Sequence, residues 1–254
     1  MSGAAERAND EPAIAPLLTI EHLSLRHGLL EAVRDVSLTV NQGETIALVG
    51  ANGAGKTTLL RGIAGAHRAS SGRITFDGLD VTRTPGHRRV GLGISLVPEG
   101  RRLFANLTVE ENLSVAVQRR RPGRWTVDSV LEAFPMLAPL RAQRAATLSG
   151  GEQQATAIGR ALISNPRLLL LDEVSLGLAP LAVEAVYSSL RSIIDEGATV
   201  LLVDQDFTRA AAIADRIICM LEGRFVLEGA RDELTREQIT EAYFGLHRAT
   251  NLGA

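Results

Sequence analysis

The stretch from Thr45 to Thr57 reads TIALVGANGAGKT and carries the strongest signal of the fold. Its first six residues form a short apolar run, which predicts a buried strand. Gly50 to Thr57 match the pattern G-x-x-x-x-G-K-[ST], a loop whose backbone N–H groups surround phosphate oxygens. A helix is predicted from Lys56 to about Ala64, and the positive end of its dipole faces the same phosphates. A strand, a phosphate-binding loop and a helix in this order predict an α/β fold.

Two side chains of this loop bring specific chemistry. Lys56 is the only lysine among the 27 basic residues of the chain, so a compact ammonium is needed at this position. We expect Lys56 to reach the β- and γ-phosphates of a nucleoside triphosphate, and Thr57 to offer its hydroxyl to Mg²⁺. Gly50, Gly53 and Gly55 allow the backbone to approach the phosphates closely.

A pair of carboxylates follows a second apolar run, LLLLDEV. Asp172 ends the predicted strand and is placed to hold the shell of the Mg²⁺ ion, usually through water. Glu173 is the candidate to polarise the attacking water. Together with the phosphate loop, these carboxylates predict a nucleoside-triphosphate hydrolase. Glu173 favours turnover over the alternative of a nucleotide sensor that does not hydrolyse.

A second anion site is predicted in the segment LSGGEQQ, Leu148 to Gln154. Ser149, Gly150 and Gly151 provide a hydroxyl and free backbone N–H groups at the start of a helix. One chain needs only one phosphate loop for each nucleotide, so this second site fits the γ-phosphate held by another copy. Taken alone, the segment also fits a plain Gly-Gly turn before a helix.

Composition limits the class of protein. The chain is 45% hydrophobic and 22% charged, which is typical of a folded soluble domain. No apolar run approaches the roughly 18 residues that span a bilayer. The net charge of −2 argues against a nucleic-acid surface, and the single Cys219 indicates a reducing cytoplasm. Residues 1–16 are predicted to be a loose tail without the features of a secretion signal.

Strands and helices alternate along most of the chain. Between about residues 101 and 165 the pattern is helical, with a capping box at Thr108 and Glu111. Uninterrupted apolar runs such as LLLL and VLLV predict a parallel sheet covered on both faces. The strands are predicted at residues 17–26, 32–40, 45–50, 72–78, 94–100, 168–172, 199–204, 216–221 and 224–229.

These motifs resemble those of the ATP-binding cassette (ABC) ATPases. GANGAGKT is similar to their Walker A motif, LLLLDE to Walker B and LSGGEQQ to the signature, in the same order and with similar spacing. The resemblance implies a P-loop NTPase of the ABC type, with an antiparallel β subdomain and an inserted helical subdomain. It predicts a domain over residues 17–250, with 17–100 and 166–245 as the core and about 101–165 as the helical subdomain.

The resemblance also implies ATP and Mg²⁺ as ligands and a head-to-tail dimer. In that dimer, two ATP molecules lie between the Walker A motif of one subunit and the signature of the other. The implied nucleotide-binding residues are His27, Gly50, Asn52, Gly53, Ala54, Gly55, Lys56, Thr57, Thr58, Ser149, Gly150, Gly151 and Glu152. The implied metal-binding residues are Thr57, Glu99 and Asp172, and the implied catalytic residues are Lys56, Glu99, Glu173 and Gln205.

Two further segments narrow the resemblance. Leu96 to Leu113 (LVPEGRRLFANLTVEENL) and Ser175 to Pro180 (SLGLAP) are similar to cassettes of bacterial importers for branched-chain amino acids, and urea and amide importers share much of this sequence. The implied partners are a second cassette, identical or different, membrane-spanning permease subunits and, indirectly, a solute-binding protein. The implied location is peripheral, on the cytoplasmic face of the bacterial inner membrane. A soluble ABC ATPase that acts on DNA or ribosomes is the rival, but no heptad run supports it.

Several positions depart from the general cassette pattern. Glu99 stands where Gln is usual, Gln205 where the switch His is usual, and Ala179 replaces a carboxylate; the importer branch shares all three. Gln205 can hydrogen-bond a γ-phosphate but does not titrate near neutral pH. Val174 replaces the usual proline, and His27 stands where an aromatic side chain stacks on adenine. His27 either stacks there more weakly or is an ordinary loop histidine.

Overall fold

The structure, a computed structural model, describes residues 15–119 and 121–246, without the side chain of Arg119. The predicted tail and the last residues of the predicted domain lie almost wholly outside this range. The strands are β1 (Leu18–His27), β2 (Leu30–Val40), β3 (Thr45–Val49), β4 (Ala69–Phe76), β5 (Leu79–Asp80), β6 (Ile94–Val97), β7 (Leu168–Asp172), β8 (Thr199–Val203), β9 (Arg216–Leu221) and β10 (Arg224–Ala230). The helices are α1 (Lys56–Ile63), α2 (Gly86–Leu92), α3 (Val109–Ser114), α4 (Val127–Ala133), α5 (Gly150–Ile163), α6 (Pro180–Asp195), α7 (Phe207–Ile213) and α8 (Arg236–Phe244).

The strands form two sheets. The larger has the order β10-β9-β3-β8-β7-β6. Its strands β9, β3, β8, β7 and β6 pair in parallel, and only β10 is antiparallel. The smaller sheet, β2-β1-β4-β5, is antiparallel throughout. The predicted P-loop α/β fold of the ABC type is therefore confirmed.

The parallel strands are apolar on both faces because both faces are covered. Alternate residues of β7 point to opposite sides, so Leu169 and Leu171 join one hydrophobic cluster while Leu168 and Leu170 join the other. The first cluster includes side chains of α5 and α6, and the second includes α1 and the antiparallel sheet. Uninterrupted leucine runs are the pattern that such two-sided burial requires. Cys219 is buried in β9.

The predicted helical segment lies between β6 and β7 and consists of α3, α4, α5 and three short 3₁₀ helices at Val115–Arg119, Pro135–Leu140 and Ala145–Thr147. The predicted capping box at Thr108 and Glu111 is present at the start of α3. Helix α4 ends at Ala133, and Pro135 begins the next 3₁₀ helix. In the described part of the chain, every helix is too short or too polar to cross a bilayer.

Helix α2 was not predicted from the sequence. It begins after Pro85, contains two glycines and ends at Leu92, and its C-cap residue Gly93 has a φ of 112°. Its one fully buried side chain is Arg89, whose guanidinium donates to the carbonyl oxygens of Gly62, Ile63, Thr82 and Thr84 at 2.7–3.1 Å. Burial lowers the pKa of Arg89 to about 10. Arg89 thus joins the end of α1 to the loop before α2 through backbone groups.

Candidate functional site

The carboxyl ends of four neighbouring parallel strands meet at one edge of the large sheet. In spatial order, β3 leads into the glycine-rich loop, β8 into Gln205, β7 into Glu173 and β6 into Glu99. Ligands of open α/β sheets bind at this edge. The fold therefore brings together four segments that lie as much as about 150 residues apart in the sequence.

The loop between β3 and α1 has a backbone that only glycine fits. Gly50 has a φ of 150°, and a Cβ atom there would overlap the carbonyl oxygen of Met220. Gly55 has a φ of 108°, and its Cβ would overlap the carbonyl oxygen of Ala32. Both glycines are therefore required by close packing as well as by backbone conformation.

Lys56 is held inside this loop. Its Nζ atom donates to the carbonyl oxygens of Gly50 at 2.6 Å and Ala51 at 3.1 Å, and the side chain is 4% exposed. Glu173 Oε1 lies 4.0 Å from Nζ. Burial lowers the pKa of Lys56, and the negative charge of Glu173 partly opposes this effect. Lys56 is therefore a fixed ammonium at the centre of the loop.

The two carboxylates have different partners. Thr57 Oγ1 donates to Asp172 Oδ1 at 2.9 Å, which ties the start of α1 to the end of β7. The backbone N–H of Glu173 donates to Val203 O at 2.9 Å, and its φ of 54° turns the chain away from the strand direction. Among the described residues, Asp172 Oδ2 and Glu173 Oε2 are buried and accept no hydrogen bond. These two oxygens are available to a ligand.

Burial controls the ionisation of both carboxyls. It raises the pKa of Asp172, against the opposing hydrogen bond from Thr57. It raises the pKa of Glu173 to about 6, against the attraction of Lys56. A carboxylate whose pKa lies just below neutral pH is ionised there and is still a useful proton acceptor, as a general base requires.

A cavity of about 570 Å³ opens at this edge. It is lined by most of the predicted nucleotide-binding residues of the loop and by predicted catalytic residues that follow the three neighbouring strands. They are Asn52, Gly53, Gly55, Lys56, Thr57, Thr58, Glu99, Glu173 and Gln205. Leu30, Ala32 and Leu176 also line it and were not predicted. Leu30 is 64% exposed and Leu176 is 43% exposed, and no motif marks an exposed leucine as a wall residue.

Apart from the signature residues, four predicted residues do not line this cavity and have their own environments. His27 Nε2 lies 3.2 Å from the hydroxyl of Thr58, which does line the cavity, and its ring contacts the ring of His67. Gly50, Ala54 and Asp172 are buried behind the surface. His27 therefore lies beside the cavity.

The signature residues lie at the N-terminus of α5 and outside this cavity. Ser149 is the N-cap, where its hydroxyl accepts from the backbone N–H of Glu152 and its own N–H donates to the Glu152 side chain. Gly150 and Gly151 form the first turn. A Cβ atom on Gly151 would lie 2.7 Å from Cβ of Ala182, so this glycine also allows α5 to pack on α6.

The residues present fit a Mg²⁺ ion bound together with phosphate. A threonine hydroxyl and a carboxylate with a free oxygen lie side by side at Thr57 and Asp172. Within residues 15–119 and 121–246, no three His, Cys, Asp or Glu side chains form a group that could hold a metal alone. Mg²⁺ commonly takes one or two protein ligands and completes its shell with phosphate oxygens and water.

A protein-family model for ABC transporters matches residues 33–175. The chain belongs to the ABC transporter family. Its ATP-binding domain is therefore an ATPase, as the motifs predicted. It is 43% identical to the high-affinity branched-chain amino acid transport ATP-binding protein BraG of Pseudomonas aeruginosa, over 90% of this chain and all of that protein. It is 33% identical to the lipopolysaccharide export system ATP-binding protein LptB of Escherichia coli, over 90% and 97%.

Solved structures of cassettes have the same fold. A nucleotide-free ATP-binding cassette from an ABC transporter matches with a TM-score of 0.77 and 25% identity, over 94% of this chain and 100% of that one. A dimeric structure of a bacterial ABC transporter cassette matches with a TM-score of 0.75 and 24% identity, over 84% and 98%. The cassette described here thus extends over nearly the full length of its relatives.

Proposed function

We propose that this cassette is the ATP-hydrolysing subunit of a bacterial importer for branched-chain amino acids. The observation that carries the enzymatic part is the single cavity that brings Lys56, Glu173, Gln205 and Glu99 together. The branched-chain cargo is supported by the higher identity to BraG than to the export cassette LptB. We also propose residues 17–100 and 166–245 as its core and 101–165 as its helical subdomain.

Seven residues in or beside the cavity have parts in nucleotide binding or hydrolysis. Lys56 binds the β- and γ-phosphates, and Thr57 with Asp172 would hold Mg²⁺, which neutralises charge on the phosphates when bound. Glu173 accepts a proton from the attacking water. Gln205 donates a hydrogen bond to the γ-phosphate, and Glu99 directs an oxygen toward the metal or the water. His27 contacts the adenine from the side of β1.

The signature acts on a second copy of the cassette. Ser149 and the first turn of α5 form an anion site that is not part of the chain's own cavity. We infer that this site binds the γ-phosphate in the cavity of a partner cassette, identical or different. The family relative solved as a dimer supports this arrangement.

The dimer can be tested with Glu173→Gln, which should bind ATP, lose hydrolysis and sediment as a dimer with ATP and as a monomer without it. The control is a double variant that carries Ser149→Asp in addition to Glu173→Gln. Aspartate caps a helix about as well as serine, so α5 stays intact, but its charge repels the γ-phosphate of the partner. The double variant should bind ATP and remain a monomer. A dimer that forms without nucleotide, or one that persists with Asp at position 149, would contradict the proposal.

The loop after Glu99 links the cavity to the helical segment. Arg101 donates to the side chain of Gln153 at 3.1 Å, and Arg160 donates to the carbonyl oxygen of Arg101 at 3.2 Å. Both partners of Arg101 are on α5, the signature helix. We propose that this linkage passes motion from the cavity to membrane-spanning permease subunits at the cytoplasmic face of the inner membrane.

The cargo needs a separate experiment. The cassette should be reconstituted with the permease subunits encoded beside its gene and with the solute-binding protein of the same cluster. Binding protein loaded with leucine should stimulate ATP hydrolysis, whereas the same protein offered urea should not. The matched control replaces Lys56 with Ala. Stimulation by urea alone, or by neither solute, would overturn the branched-chain assignment and leave the ATPase assignment intact.

A further inference from the structure

Asp204 is a buried carboxylate next to the cavity. It follows β8 directly, precedes Gln205 and is 0% exposed. It does not line the cavity, and neither the motifs nor the proposed hydrolysis uses it. Within the described ranges it belongs to none of the ion pairs. Burying such a charge is costly unless hydrogen bonds replace its hydration.

Four donors meet this carboxylate. Oδ2 accepts from the backbone N–H of Ser175 at 3.1 Å and from the Tyr187 hydroxyl at 2.8 Å. Oδ1 accepts from the Ser175 hydroxyl at 2.7 Å and from the backbone N–H of Asp206 at 2.9 Å. Burial raises the pKa of Tyr187, so the phenol keeps its proton and stays a donor. Hydrogen bonds to an ionised acceptor are about twice as strong as neutral ones.

The donors come from three different segments. Ser175 lies two residues after Glu173, Tyr187 lies on α6, and Asp206 is the N-cap of α7. Asp204 therefore fixes the loop that carries Glu173 relative to the turn that carries Gln205. The two cavity side chains belong to different strands, so strand pairing alone does not set the positions of the loops beyond the strand ends.

We propose that Asp204, with Ser175 and Tyr187, is a positioning group that holds Glu173 and Gln205 in register with each other. This inference rests on the proposed roles of Glu173 and Gln205. The group acts on the rate of the chemical step and not on nucleotide affinity, because none of its members lines the cavity. Small displacements of catalytic groups reduce rates by as much as about 100-fold.

The first test uses Tyr187→Phe, which removes one donor and no volume from the core. Turnover for each ATP-binding site should fall by roughly 10-fold, within the range expected for displaced catalytic groups, while KM for ATP changes by less than about 2-fold. The matched control is Tyr243→Phe on α8, which should leave both constants unchanged. A purely structural role would lower the thermal midpoint and the number of binding sites but would leave turnover for each remaining site unchanged.

The second test uses Ser175. Ser175→Ala removes one of the two donations from this residue and should also lower turnover, whereas Ser175→Thr keeps the hydroxyl and should restore it. Unchanged turnover in both Tyr187→Phe and Ser175→Ala, with Glu173→Gln inactive, would overturn this inference alone. An active Glu173→Gln would instead overturn the proposed function. The two failures are therefore distinguishable in one series of proteins.

Discussion

Replacing Glu173 with Gln should stabilise the nucleotide-free cassette at neutral pH. Glu173 is 8% exposed, and burial raises its pKa from an ordinary 4.5 to about 6 against the attraction of Lys56. The folded protein therefore holds the proton more tightly than the unfolded chain does. At roughly 1.4 kcal/mol for each tenfold change in proton affinity, ionised Glu173 costs the folded state about 2 kcal/mol. The figure already includes the attraction of Lys56, because that attraction is part of the pKa.

The sign of the pH dependence follows from linkage. A group whose pKa is raised on folding adds stability below its unfolded pKa and loses that contribution as the pH rises through its folded pKa. Wild-type protein should therefore lose stability relative to Glu173→Gln between about pH 4.5 and 7. From these two pKa values, the variant's advantage is about 0.8 kcal/mol at pH 5 and about 2 kcal/mol at pH 8.

Urea unfolding of the nucleotide-free proteins at pH 5 and pH 8 measures this difference. The quantity to compare is the change in the variant's stability advantage between the two pH values, about 1.2 kcal/mol. The exchange of a carboxyl for an amide also alters the free energy of unfolding by an amount that does not depend on pH, and this amount cancels in the comparison. Glu184→Gln on the exposed side of α6 is the matched control and should show no such change. A stability advantage of the variant that is constant from pH 5 to pH 8, or a variant that is less stable than wild type at pH 8, would show that burial of an ionised Glu173 does not destabilise the folded state.

Three further predictions concern activity and packing. The value of kcat/KM should fall as the pH drops through about 6, because Glu173 takes up a proton there. The same fall should be seen in a His27→Asn variant. If that variant shows no fall, the histidine and not Glu173 is the group that takes up the proton. Gly151→Ala should destabilise the nucleotide-free protein by about 1–3 kcal/mol through overpacking against Ala182, whereas Gly91→Ala on α2, which meets nothing within 4 Å, should stabilise it. Arg89→Met should lower the free energy of unfolding by about 3–5 kcal/mol, because the carbonyl oxygens at the end of α1 lose their buried donor. The control Arg88→Met, at an exposed position of the same helix, should change the free energy of unfolding little. Unfolding curves check the last two, and equal stability of Arg89→Met and Arg88→Met would show that Arg89 does not join α1 to α2.

The sequence predicted the parallel core well because each of its signals is local. An apolar run such as Leu168 to Leu171 can only be buried on two sides, and a glycine loop before Lys56 has few alternative uses. The order of the strands could not be read in the same way. Pairing of β3 with β8, more than 150 residues later, depends on tertiary contacts that no local pattern encodes.

The missed features have physical reasons as well. Helix α2 contains two glycines and little apolar periodicity, so its propensity is poor, and the buried Arg89 stabilises it through contacts with distant carbonyl oxygens. Leu30 and Leu176 line the cavity although each is substantially exposed. The four donors to Asp204 come from segments separated by loops and a helix. Such groups are recognisable only when the backbone has brought them together.

The residue pairs Asp172–Glu173 at the end of β7 and Asp204–Gln205 after β8 repeat one arrangement. In each pair the first residue is tied into the protein and the second lines the cavity. Asp172 accepts from Thr57 and precedes Glu173, and Asp204 accepts from Ser175 and Tyr187 and precedes Gln205. A catalytic side chain gains most when the atoms that support it are already fixed, because no reorganisation is then needed during the reaction. The two acidic residues differ in one respect. Asp204 accepts from donors of three separate segments, which is how a buried carboxylate can fix the residue that follows it, whereas among the described residues Asp172 accepts from Thr57 and its Oδ2 accepts no hydrogen bond.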